Sequence, residues 1–382
     1  MKLVIIGGGA AGMMAAIAAS ECGAEVTVLE RNVLCGAKLN LTGKGRCNVT
    51  NQCDVEQLIR STPCNGKFLY SAFKSFTAED TIQFFESIGV PLKTERGNRV
   101  FPQSDHAKDI THALRSAMSE RGVRVQRCRA KAVTVADGAV AGVQTDSGFF
   151  PANAVILATG GRSYPRTGSD GDGYRMAQAL GHTVIAQRPS LVPLRSNSDI
   201  CPRLEGLSLR NVALCVEQEN TTIYEDFGEM LFTANGVSGP MILSASAHLA
   251  QRDTFACLLH IDLKPALDRE TLDKRVLRDF EEGKNRDFAN VVGGLVPQKL
   301  IPVVIERCGI PPAQKVNAVT RAQREAFCLV LKDFTVPIHA PGSFDEAVIT
   351  AGGVDTKEIS PKTLESKLVH GLYFAGELID VD

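Results

Sequence analysis

The chain has 382 residues, 42 of them basic and 43 acidic, with a formal net charge of −1 and no apolar stretch long enough to cross a bilayer. Balanced charge gives no electrostatic reason to expect nucleic acid or an acidic membrane surface, and the length calls for two or three domains serving a small-molecule ligand. The N-terminal apolar segment breaks at glycines rather than at a cleavage site, so a cytoplasmic protein with neither nucleic-acid nor membrane partners is expected.

The first thirty residues form a dinucleotide-binding βαβ pattern. The apolar run Lys2-Leu3-Val4-Ile5-Ile6 reads as a buried parallel strand, Gly7-Gly8-Gly9-Ala10-Ala11-Gly12 as the phosphate turn, and Val26-Thr27-Val28-Leu29-Glu30 as the second strand. Gly7 permits the sharp turn, Gly9 has no Cβ to block a phosphate, and Gly12 lets helix and strand pack closely. Glu30 lies where a carboxylate takes the ribose hydroxyls of an adenosine and repels a 2′-phosphate, which leaves FAD or NAD.

From Arg31 to Asn51 neither helical nor strand periodicity appears. This polar, glycine-containing loop offers backbone N–H groups with Lys44, Arg46, Asn48 and Thr50 to an anionic or hydrogen-bonding ligand. Residues 77 to 121 read as helical segments around Pro91 and Asn98–Pro102, with helix starts near Thr77 and Ser104. Strands are expected at Val123–Val125, Ala132–Val135, Val140–Val143 and Ala154–Leu157, the last running into Ala158-Thr159-Gly160-Gly161. That junction lacks a second GxGxxG and fits a return of the chain to the first sheet. A glycine-dense loop, Arg162 to Tyr174, precedes a further helix.

Short β-rich stretches follow from Leu191 to about His260, and residues 268 to 332 become helical. Strand-then-glycine patterns resume at Ala347–Val354 and Gly371–Glu377. The expected organisation is a discontinuous nucleotide-binding domain (1–190 and 340–382), a β-barrel-like insertion (191–265 and 333–339) and a small helical domain (266–332). The missing second GxGxxG, the long loop and the returning glycine strands select FAD over NAD as the bound cofactor. Eleven cysteines without a CxxC pair suggest reduced thiols. Cys47 and Cys53 have five residues between them where redox disulfides of some flavoenzymes have four, so Cys47 is read as a packing residue. His106, His182 and His339 show no metal spacing and are read as structural.

The ordered set of motifs resembles the BaiN/YhiN-like flavoproteins, an aminoacetone oxidase-like family of FAD-dependent oxidoreductases within the glutathione-reductase type. The similarity rests on the glycine turn, Thr42-Gly43-Lys44-Gly45-Arg46-Cys47-Asn48-Val49-Thr50-Asn51, Ala158–Gly161 with Ser163-Tyr164-Pro165, Gly228–Thr233 with Gly236–Pro240, Thr350–Val354, and Gly371 to Asp382. It implies an α/β Rossmann-like FAD domain with two insertions, the Thr42–Asn51 loop against the flavin, and Glu377 and Asp380 near the pyrophosphate and ribityl chain. Two departures stand out. Thr233-Ala234-Asn235-Gly236 replaces the family's Thr-His-Phe-Gly, and the sequence stops at Asp382 where the family continues into a final helix, so this truncated chain is expected to hold FAD weakly or not at all.

Pattern and resemblance together give a cofactor-binding set of Gly7, Gly9, Ala10, Ala11, Gly12, Glu30, Arg31, Thr42, Gly43, Gly45, Arg46, Cys47, Asn48, Ala132, Thr159, Gly160, Gly161, Gly376, Glu377 and Asp380. Tyr164 is the expected proton donor and Arg46, or alternatively Lys44, the expected stabiliser of negative charge. The resemblance implies NAD(P)H-driven reduction of a carbon–carbon double bond in an enone or steroid-like molecule. Flavin amine oxidation by oxygen, a non-catalytic flavin-binding regulator and an FAD-dependent RNA-modifying enzyme are the alternatives, the last disfavoured by the balanced charge.

Overall fold

The computed structural model describes residues Met1 to Asp382, which fold as two compact units, Met1–Pro189 with Phe344–Asp382 and Ser190–Ser343. The first unit is built on five parallel strands: β1 (Lys2–Ile6), β2 (Glu25–Glu30), β3 (Arg124–Arg127), β4 (Ala154–Leu157) and β5 (Leu372–Phe374), side by side in the order β5-β4-β1-β2-β3. This is a doubly wound sheet. Leu3 and Ile5 join one apolar core with Met13, Ala16 and Ile17 of α1 (Ala10–Glu21) and Ile110 and Leu114 of α2 (Ala107–Glu120). Val4 and Ile6 join the opposite core, with Tyr174, Met176 and Ala177 of α3 (Asp172–Ala179). Burial on both faces explains why β1 is apolar without alternation.

The glycine turn is fixed by close backbone approaches. Gly7 has φ +106°, and a Cβ there would sit 2.5 Å from the Ala158 carbonyl oxygen. A Cβ on Gly12 would lie 1.9 Å from the Gly7 carbonyl oxygen, so α1 reaches the sheet only because that side chain is missing.

Two three-stranded antiparallel sheets also belong to this unit. One pairs Thr50–Asn51 and Leu92–Glu95 with Arg99–Pro102, where the sequence reading expected helix interrupted by turns. The physical reason is the connection Arg96-Gly97-Asn98, in which Gly97 and Asn98 both adopt positive φ and turn the chain back as a hairpin. The other is a meander of Ala130–Ala136, Ala139–Thr145 and Gly148–Pro151.

The second unit carries a seven-stranded antiparallel sheet whose centre is a long hairpin, Ser208–Gln218 and Thr221–Thr233, turned at Glu219 and Asn220 with positive φ. Its two end strands, Phe334–Ile338 and Ala340–Pro341, are consecutive stretches of one segment, so the sheet curls back towards itself. A helix at Pro240–Ala250, absent from the sequence reading, packs on this sheet. The helices Arg269–Glu282, Ile301–Cys308 and Arg321–Lys332 belong to the same unit, with Phe280, Phe288 and Phe327 in a mutual aromatic cluster. No helix of the chain is long and apolar enough to cross a membrane.

His182 ties α3 to the far edge of the first unit. Its fully buried ring sits edge-on to Phe374 of β5, with Nδ1 3.0 Å from Glu358 Oε2 and Nε2 2.8 Å from Ser366 Oγ. Burial outweighs the attraction of the Glu358 carboxylate and holds the imidazole below its ordinary pKa.

Two predictions follow from these contacts. Gly12→Ala should destabilise the protein by about 3 kcal/mol, read from chemical denaturation, because either α1 or the Gly7 peptide must move. The neutral His182 stabilises the fold at pH values above its unfolded pKa, and that stability is lost as pH falls through the lower folded value. Melting temperature should therefore drop on acidification from pH 7 to 5, and His182→Gln should lower it at pH 7 while flattening that dependence.

Candidate functional site

The carboxyl ends of all five parallel strands open onto one cavity of about 350 Å³. The chain leaves β1 and β4 in opposite directions, which makes the crevice between them the switch point of the sheet. The lining comes from Gly7–Ala11 after β1, Leu29–Asn32 at the end of β2, Gly36–Leu39 with Thr42, Cys128–Ala130 after β3, Ala158–Gly160 after β4, Thr167–Asp172, Val348–Ile349, and Ala375–Glu377 after β5.

Helix α1 points its N-terminus into this cavity without a side-chain cap or an acidic residue in its first turn. Three facts about the protein remain unexplained by its own contacts. No atom lies within 4 Å of the place a Gly9 Cβ would take, and its φ of −78° suits any residue. The Thr159 hydroxyl is buried in the cavity wall with no partner. The first-turn N–H groups have no acceptor from a capping side chain.

Glu30 is buried and links two segments, accepting from the Gly8 N–H at 2.8 Å through Oε2 and from the Asn32 N–H at 2.7 Å through Oε1. A charged network follows at the rim. Arg31 contacts Asp170 at 2.7 Å and Asp172 at 3.3 Å, and Arg129 contacts the same pair at 3.1 and 2.6 Å. Arg175 also pairs with Asp172. A second network joins the Lys38 ammonium to Ser163 Oγ at 2.5 Å and Glu377 Oε2 at 2.6 Å. The Glu377 Oε1 accepts from the Ser163 hydroxyl at 2.9 Å and the Thr350 N–H at 2.7 Å. The neighbouring Cys35 thiol is pushed up to about 11 by burial and by the Glu30 carboxylate, so it is no nucleophile.

Of the residues expected from sequence, Gly7, Gly9, Ala10, Ala11, Glu30, Arg31, Thr42, Thr159, Gly160, Gly376 and Glu377 come together in the cavity wall. Gly12 and Gly161 stand behind it, and a Cβ on Gly161 would meet Thr350 Oγ1 at 2.4 Å. Asp380 lies outside, held by the Asn65 amide at 3.0 Å, with burial raising its pKa. Ala132 is also outside. The turn that enters the meander brings Cys128, Arg129 and Ala130 to the cavity two residues earlier, and Ala132 lines a separate groove along α3.

Gly43, Gly45, Arg46, Cys47 and Asn48 do not line the cavity either. Arg46 donates to Glu95 at 2.5 Å and to Asp105 at 2.7 Å, and its guanidinium stacks 4.1 Å from the Phe101 ring centre. Lys93 shares the same carboxylates, at 2.6 Å from Asp105 and 3.7 Å from Glu95, so Arg46 belongs to a balanced cluster of two cations and two carboxylates beside the cavity wall. Cys47 is buried, with its thiol raised by that burial, and the Asn48 amide donates to Thr50 and Val100 carbonyls. This part of the loop is stapled to the hairpin. Tyr164 is likewise off the wall, half-buried at φ +51°, its N–H donating to the Phe344 carbonyl at 3.0 Å. Sequence reasoning missed Lys38, Ser163 and Thr350, and the only signal for them was their position inside motifs already singled out.

The chain is 33% identical to a 3-dehydro-bile acid delta(4,6)-reductase of Clostridium scindens, over all of this chain and 93% of that protein. It is 29% identical to a ribosomal RNA dihydrouridine synthase of Escherichia coli, over 99% of this chain and 91% of that one. That second likeness removes the exclusion of nucleic acid argued from net charge. In fold it is similar to a 3-ketosteroid-delta4-(5alpha)-dehydrogenase from Rhodococcus jostii solved with 4-androstene-3,17-dione, at 15% identity and a TM-score of 0.51 over 99% of this chain and 90% of that one. With these strand ends, this glycine turn and a family match running over residues 1–382, the chain belongs to the HI0933-like protein Rossmann domain family and is a flavin-dependent oxidoreductase.

Proposed function

We propose that the chain holds FAD in this cavity and uses electrons from NAD(P)H to reduce a carbon–carbon double bond conjugated to a carbonyl, in an enone or steroid-like small molecule. The observation that carries the reading is Gly9, a glycine that no contact within the protein requires. A diphosphate resting on the first turn of α1 does require it.

The other residues fit the same ligand. Each Glu30 oxygen accepts one N–H and retains capacity for a ribose hydroxyl, and its negative charge disfavours a 2′-phosphate. Ile6, Leu29, Val348 and Ile349 line the wall with apolar surface that excludes water. Bound FAD supplies two-electron transfer, chemistry that no side chain provides. For the proton that completes the reduction we keep Tyr164, whose place off the wall of this cavity requires the substrate to lie beside the cavity rather than within it.

Both groups of relatives bear on the substrate class. A bile acid delta(4,6)-reductase removes ring double bonds, and dihydrouridine is uridine with the double bond beside its carbonyl reduced. The second name favours an alternative acceptor for the same chemistry, a uracil ring in RNA.

Anaerobic bleaching of the flavin by NADH or NADPH, followed by addition of a 3-oxo-4-ene steroid, a ribosomal RNA fragment or oxygen, tests the reading. The steroid should restore the oxidised spectrum and gain two hydrogens. Recovery with RNA alone would move the substrate, and recovery with oxygen alone would sink ene reduction. Tyr164→Phe should slow the steroid-driven recovery by about a hundredfold while leaving bleaching unchanged. Gly9→Ala should leave the melting temperature of cofactor-free protein within about 2 °C of wild type. Its FAD affinity should fall by at least about tenfold, because the added methyl occupies the space left for a phosphate.

A further inference from the structure

The cavity wall has a charge problem. Arg31, Lys38 and Arg129 face Glu30, Asp170, Asp172 and Glu377, and Arg175 behind the wall also pairs with Asp172, so the wall offers no excess of cations where the preceding reading puts a diphosphate. Arg31 and Arg129 are both committed to Asp170 and Asp172.

Lys38 differs in its bonding. An ammonium has three N–H donors, and Ser163 and Glu377 take two of them. Glu377 Oε1 is already served by the Ser163 hydroxyl and the Thr350 N–H, while Oε2 accepts from the Lys38 ammonium. Its neighbour Gly376 rests on the first turn of α1, where a Cβ would come within 2.7 Å of the Ala11 Cβ. Lys38, Glu377 and the first-turn residues Ala10 and Ala11 line the same cavity, so the ammonium and the uncapped helix end border one space.

We propose that Lys38 is a phosphate-binding residue of this cavity, offering its third N–H to the diphosphate of FAD while Glu377 and Ser163 hold the ammonium in place. The assignment rests on the FAD reading above. It gives the site a directed cation in place of Arg46, and it accounts for a lysine drawn into the wall rather than left in solvent.

The test is a binding cycle on the cofactor-free chain, with FAD affinity measured by flavin fluorescence and folding by melting, for wild type, Lys38→Met, Glu377→Gln and the double variant. Lys38→Met should weaken FAD binding by about 10- to 100-fold, as expected for loss of a hydrogen bond to a charged group. The double variant leaves no unpaired charge, so it remains informative should Lys38→Met fold poorly. It should bind FAD weaker than Glu377→Gln alone by a similar factor. Wild-type affinity in Lys38→Met, or equal affinity in Glu377→Gln and the double variant, would overturn the proposal by making the lysine a mere counter-ion to Glu377. A wild-type chain that binds no FAD would overturn the FAD reading itself, and this assignment with it.

Discussion

The Gly7 carbonyl oxygen is the point on which the first unit depends. Gly12 approaches it so closely that no side chain is possible there, and Gly7 itself abuts the Ala158 carbonyl while its N–H donates to Leu29 at 2.9 Å. One residue thus sets the spacing of β1 from β2, β4 and α1 together. The same constraint aims the uncapped first turn of α1 into the crevice where the sheet changes direction. Folding and ligand geometry are in this sense one requirement, since a turn loose enough to take ordinary side chains would not bring the helix end to the strand ends.

Around that turn, electrostatics joins loops that are far apart in sequence. Glu30 holds the turn and the following loop through two backbone N–H groups. Arg31 and Arg129 draw in Asp170 and Asp172, and Lys38 draws in Ser163 and Glu377. The rim charges are partly exposed, from 19 to 49% for the Arg31, Arg129, Asp170 and Asp172 side chains, so each pair is worth little in stability. Their consequence is positional. They fix three separate segments as one wall, which a cavity made of loops needs more than it needs added stability.

Much of this was legible in the chain, and the limits have physical causes. The βαβ unit is readable because its turn and parallel strand are local patterns, and β4 was placed from Ala154 to Leu157 as found. The hairpin of Leu92–Glu95 and Arg99–Pro102 was missed because its strands are short and its signal is two left-handed residues. Ala132 is expected in the cofactor site from sequence, whereas Ala130 is the meander residue that lines the cavity, a difference sequence does not resolve because position along a meander depends on where its turn starts. The cations were harder still. Arg46, in the most motif-like loop, is neutralised by Glu95 and Asp105, about fifty and sixty residues later in the chain. A side chain's charge is visible in sequence, but its partner is a property of the fold.

Net charge failed for a related reason. A balanced total argues against broad electrostatic attraction to a polyanion, yet relatives spanning the full chain include enzymes named for ribosomal RNA. An enzyme acting on a base must bring that base out of its stack and into a pocket, and the reacting group it then meets is a small conjugated ring. At the level of the reacting atoms, a uracil and a steroid enone pose the same problem, a double bond polarised by a carbonyl. A sum over residues cannot separate them, because it counts alike an Arg46 paired to two carboxylates and a Lys38 in the cavity wall.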